Sequence, residues 1–142
     1  APLLKTYLPK PPLPGLSDPP PVETTAQPTL RASAAWALGY LFEDAPQDDL
    51  AEIFRQRMTD DDPVNSESGD VRRMSAVALG RMNHRGSLPA LRKLYGSKYT
   101  GVTLAEAAAW AIEEMTGEEL PPPGPEVIER SEVNWYVQPL EY

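Results

Sequence analysis

Ser33-Ala-Ala-Trp-Ala-Leu-Gly-Tyr-Leu41, Met74-Ser-Ala-Val-Ala-Leu-Gly-Arg-Met82 and Ala107-Ala-Ala-Trp-Ala-Ile-Glu-Glu-Met115 are three copies of one pattern. Aligned at offsets of 41 and 33 residues, they place Ala35, Ala76 and Ala109 in one column, Leu38, Leu79 and Ile112 in a second, and Leu41, Met82 and Met115 in a third. Repetition at this period is the mark of stacked helical hairpins, because one such unit cannot bury its apolar side alone. The expected fold is therefore all-α, a short α-solenoid of about two and a half hairpins.

Proline bounds the repeated block. Of 17 prolines, nine fall between Pro2 and Pro28 and four in Pro121-Pro-Pro-Gly-Pro125. Both ends therefore read as extended arms, giving a division into 1–28, a helical block at 29–118 and a tail at 119–142. A block of about 90 residues folds with a limited core. The chain has no cysteine, which removes disulfides, thiolate metal sites and thiol nucleophiles. No apolar run approaches the roughly 20 residues that a membrane-spanning helix needs. A start at Ala1 fits loss of an initiator methionine, of a signal peptide, or of a longer preceding segment, so the compartment stays open between cytoplasm and cell envelope.

In the first repeat the spacing predicts a helix from Thr29 as cap to about Phe42, with Leu30, Ala34, Ala37, Leu38 and Leu41 inward, then a second helix capped by Asp48 or Asp49. Asp70 would cap the next, and Thr103-Leu-Ala-Glu106 reads as a capping box. Gly96 reads as a helix stop in the left-handed conformation, the third repeat's helix is expected to end at Gly117, and Pro89 sits where a first turn tolerates it. Gly39 and Gly80, recurring in register inside helices, imply that another helix comes close. Trp36 and Trp110 are expected in the core, with exposure on the concave ligand side as the alternative.

Net charge is −8, distributed as +1 over 1–42, −8 over 43–70, +7 over 71–98 and −8 over 99–142. The basic stretch supplies Arg72, Arg73, Arg81, Arg85, Arg92 and Lys93. Either adjacent repeats attract one another through this alternation, or the basic face docks an acidic partner. Nucleic-acid binding along this basic face is the alternative function, although the flanking acidic repeats would repel the same backbone.

Asp70-Val-Arg-Arg-Met-Ser-Ala-Val-Ala-Leu-Gly-Arg-Met82, continued by Gly86-Ser-Leu-Pro-Ala-Leu-Arg-Lys-Leu94, resembles the HEAT repeat in its short bacterial, phycobilisome-lyase-type form. The first repeat keeps Ala37-Leu-Gly39 without the proline of the second helix, and the third has Glu113 in place of glycine. The resemblance implies the fold. It also allows, as a lesser reading, a bilin-lyase-like chromophore-attaching activity.

Catalytic chemistry has little material. His84 is the single histidine and is expected in a surface turn, which leaves no His-rich metal site and no Gly-x-Ser-x-Gly elbow around a triad. The acidic linker from Asp60 lacks glycine at the sixth position of a calcium loop, where Asn65 stands, and reads as solvated. Glu113, Glu114, Glu118 and Glu119 read as a solvated face. No cofactor or metal is expected. The function expected is a noncatalytic scaffolding subunit of a larger protein complex. Its arms would tether neighbouring subunits through Leu3, Leu4, Tyr7, Leu8, Leu13 and Leu16 at one end and Trp135, Tyr136, Leu140 and Tyr142 at the other. Trp135 and Tyr136 could equally fold back over the chain's own last helix.

Overall fold

A computed structural model describes residues 2–10 and 27–123. Six α-helices form in the order α1 (Pro2–Lys5), α2 (Pro28–Leu41), α3 (Asp48–Thr59), α4 (Gly69–Arg81), α5 (Leu88–Gly96) and α6 (Val102–Thr116), with a 3₁₀ turn at Arg85–Ser87 before α5 and no strand among the described residues. They pack on one another around a shared apolar core.

The three repeated stretches become α2, α4 and α6, which lie side by side as one layer. Gly39 of α2 sits so close to α4 that an added Cβ would stand 2.9 Å from the Ala78 Cα, and one on Gly80 of α4 would stand 2.8 Å from the Cα of Ala111 in α6. Ala78 and Ala111 occupy the same column of the repeat, so one contact is made twice, one repeat apart. Small residues are needed here because backbone meets backbone. α2 and α4 run the same way: Arg31 at the start of α2 reaches Glu67 just before α4, and the Asp44 amide after α2 donates to the Arg81 carbonyl at the end of α4, 2.9 Å away.

The other layer is paired differently from the sequence expectation of hairpins such as 29–58. α3 packs principally on α4, the helix after it, and α5 on α6. The side facing α2 that a preceding helix would cover is met by residues 2–10. Leu8 is wholly buried in the core with Leu4 and Tyr7 against it, while Lys5 pairs with Asp49 at the start of α3 (3.0 Å) and Lys10 with Asp60 just past its end (2.5 Å). The strap thus runs alongside α3 and does for α2 what α3 does for α4. Of the residues expected to contact a partner from an extended arm, Leu4, Tyr7 and Leu8 pack on the chain's own core, while Leu3 is 67% exposed. Leu13 and Leu16 lie outside the described residues.

Leu8→Ala is expected to lower stability by about 2 kcal/mol, the low end for a buried leucine, because the strap can detach without unfolding α2 to α6. Urea denaturation measures it. The strap is also acid-sensitive. Burial pushes the Asp60 carboxyl up, but the Lys10 hydrogen bond, the Asp62 amide and the charges of Lys10 and Arg57 hold it below its ordinary 3.8. A depressed carboxylate gives stability that is fully present above its unfolded value and is lost as pH falls through the folded one. Hydrogen-exchange protection of the Leu8 amide, which donates to the Lys5 carbonyl, should therefore decline below about pH 4. The decline should be shallower in Lys10→Met.

Several local expectations change. Ala34 and Leu38 are buried as expected, with Ala35 beside them, whereas Leu30 and Leu41, also expected inward, are 46% and 57% exposed. The caps of α2, α3, α4 and α6 are Gln27, Gln47, Ser68 and Gly101 without side-chain capping bonds. Thr29, Asp48, Asp49, Asp70, Thr103 and Glu106 lie inside first turns or just beyond, so the capping box does not form. Gly117 ends α6 in the left-handed conformation at φ 73°, while Gly96 remains the last residue of α5 without a positive φ. Gly96→Ala should accordingly be neutral or stabilising by up to about 1 kcal/mol, since nothing lies within 4 Å of the added Cβ. A thermal melt decides it.

Candidate functional site

The basic residues of the second repeat do not gather into one free face. Arg72 donates from Nε to the Met58 carbonyl (2.9 Å), Arg73 pairs with Asp70, and Arg92 grips Glu118 with two bonds, one of 3.1 Å. Arg85 and Lys93 are exposed on the turn and on α5. The Glu118 carboxyl lies below its ordinary value, held down first by the Arg92 hydrogen bond against the opposing effect of burial. These contacts fasten residues 118–121 back across α5, helped by the Tyr95 hydroxyl donating to the Pro121 carbonyl (2.6 Å) and the Leu120 amide donating to Glu113 (3.0 Å). The described start of the tail therefore lies on the chain itself. Trp135, Tyr136, Leu140 and Tyr142 lie outside the described residues.

His84, expected at the surface, is 8% exposed. Its Nδ1 lies 2.8 Å from the Ser87 Oγ and its Nε2 3.1 Å from Asp48 Oδ1, so serine, histidine and aspartate form a hydrogen-bonded chain. Exposure runs the wrong way for nucleophilic catalysis. Ser87 is 0% exposed, and the Asp48 side chain is fully in water. A nucleophile must meet its substrate and the orienting acid is the buried member, so this hydrogen-bonded series is arranged to tie the turn before α5 to the start of α3 and not as an acyl-transfer triad.

A different constellation crosses α2, α4 and α6. The Trp36 and Tyr40 rings meet edge to face at 4.7 Å, the Arg81 guanidinium lies 3.7 Å over the Tyr40 ring, and it also faces Trp110 at 5.5 Å. Trp36 and Trp110, expected in the core, pack against it with part of each ring in solvent. The absent side chains of Gly39 and Gly80 make the ladder possible, since a Cβ on Gly39 would stand 3.5 Å from the Arg81 stem and one on Gly80 3.1 Å from the Trp110 ring. Such cation and ring contacts contribute about 0.5–2 kcal/mol each.

Beyond Arg81 the layer opens into a cleft of about 150 Å³ lined by Glu43, Asp44, Gly80, Arg81, Asn83, Trp110 and Glu114. Asp44 and Asn83 hold φ near +53° and +55°, a conformation that Asp and Asn adopt more readily than other side-chain residues. These turns bring the ends of α2 and α4 to the same rim. Glu43, Asp44 and Glu114 have no ion-pair partner among the described residues, and the buried Oδ1 of Asn83 has no donor. The sequence reading passed over this cleft, although the offsets that align Trp36 with Trp110 also put Tyr40, Arg81 and Glu114 in one column. No family model, curated protein or solved structure matches the chain.

Proposed function

We infer that this chain is a noncatalytic binding subunit: a short HEAT-like helical stack that holds a protein partner on the open side of α2, α4 and α6. One observation carries the reading. The glycine-to-alanine contact made by Gly39 on Ala78 recurs at Gly80 on Ala111, which is how a repeated unit extends a continuous surface from neighbour to neighbour. Glu113 stands in the glycine column of α6, and among the described residues no further helix of the layer approaches it. The open side carries Trp36, Tyr40 and Trp110, residue types that supply much of the energy in protein interfaces.

The tethering role passes from the N-terminal segment to this face, because Leu4, Tyr7 and Leu8 are spent on the chain's own core. The decisive experiment is the native mass of the protein taken gently from its source, by size-exclusion with light scattering. An assembly containing a distinct protein supports the reading, and a 15.6 kDa monomer overturns it.

A further inference from the structure

We propose that the cleft at the ends of α2, α4 and α6 receives an arginine or lysine side chain from a partner segment whose apolar residues lie along the open side of α2; this rests on the binding-subunit reading and specifies its partner. The apolar part of the surface is on the page. Leu30, Ala37 and Leu41 recur at helical spacing along α2, and the two leucines are about half in water. Trp36 and Tyr40 flank this strip and lead to Arg81 and the cleft.

Charge selects the occupant. Acids that tie one element to another are matched: Asp49 by Lys5, Asp60 by Lys10, Glu67 by Arg31 and Arg57, Glu118 by Arg92. Glu43, Asp44 and Glu114 have no ion-pair partner among the described residues, as is true of Asp61, Asp62, Glu106, Glu113 and Glu119, but these three converge on one cleft, where they outnumber its single described cation. Arg81 does not neutralise them, since its guanidinium is turned onto the Tyr40 and Trp110 rings and, among the described residues, lies within 4 Å of no carboxylate. Trp110 offers an incoming cation a ring edge or face. An acidic segment would meet three like charges, and a nucleic-acid backbone would be repelled in the same way.

The test titrates the full chain into a fluorescein-labelled peptide alternating leucine with arginine, read by anisotropy, with a leucine and glutamate peptide as comparison. The expected result is binding of the first peptide alone, weakened roughly tenfold by Glu43→Gln/Glu114→Gln and less than about twofold by Glu106→Gln/Glu119→Gln, which removes the same charge elsewhere. Unchanged helicity shows that both variants fold. Equal weakening by the two pairs would reduce the effect to net charge and overturn the proposal, as would no binding of the arginine peptide. A concentration-dependent dimer abolished by the cleft pair would make a second copy the occupant and overturn it as well. A native assembly that survives the cleft pair unchanged sinks this proposal but leaves the binding-subunit reading standing, whereas a native monomer removes that reading first.

Discussion

Gly80→Val is expected to lower the unfolding free energy by about 3 kcal/mol, and Gly80→Ala by about 1–3 kcal/mol, both measured by urea denaturation. Helix propensity alone gives the opposite sign for alanine, a gain of up to about 1 kcal/mol, so the direction of the change is diagnostic. Packing wins because the new carbon would stand 2.8 Å from both the Cα and the Cβ of Ala111, and a backbone atom cannot swing aside as the end of a flexible chain can. α4 and α6 would have to separate, and Trp110 would lose its seat against Gly80. Against a total stability of about 5–15 kcal/mol, the valine variant should melt broadly or fail to fold. Gly39→Ala should behave alike, since its Cβ would meet the Ala78 Cα at 2.9 Å. If alanine at Gly80 stabilised the protein, the layer of α2, α4 and α6 would not be packed as described.

The same glycines show what the sequence disclosed. Their recurrence in register pointed to a close approach, and the helices, the buried Ala35, Leu38, Ala76, Leu79 and Ile112, and the stop at Gly117 all followed from local pattern. What was not legible depended on contacts distant in sequence. Leu8 lies in a proline-rich stretch with no periodicity, and its burial comes from the side of α2 that no preceding helix covers. Leu30 and Leu41 were added to the inner side of α2 beside Ala34 and Leu38, which are buried, because their spacing makes an apolar stripe as convincing as the alanines. The cleft was hidden for a related reason. Arg81 was counted among basic residues by charge, while its position over Tyr40 depends on Gly39 leaving room for its stem.

Glu67 was read as part of a solvated acidic linker, yet its side chain is 0% exposed and paired with Arg31, itself buried, and with Arg57 at 3.4 Å. Glu67→Ala is expected to cost about 3–5 kcal/mol, because removing one member of a buried ionic group leaves the other charges uncompensated. Glu67→Gln should cost nearly as much. It can still accept the Ser68 amide at 2.8 Å, but it cannot balance two guanidinium groups. The loss should fall substantially in Arg31→Met/Glu67→Leu, where apolar side chains replace the deepest pair, and the comparison of single and double variants isolates the charge effect. The consequences should also travel. Arg57 approaches Asp60 at 3.9 Å, Asp60 holds Lys10, and the Glu67 amide donates to the Asp60 carbonyl, so the group that fixes the start of α4 is continuous with the one that fixes the strap. Glu67→Ala should therefore weaken exchange protection at the Leu8 amide as well, and less so once Lys10→Met has cut the connection. Loss confined to α4, with Leu8 unchanged, would mean that the strap is held by its apolar contacts alone and that the ion pairs of the linker act on one side only.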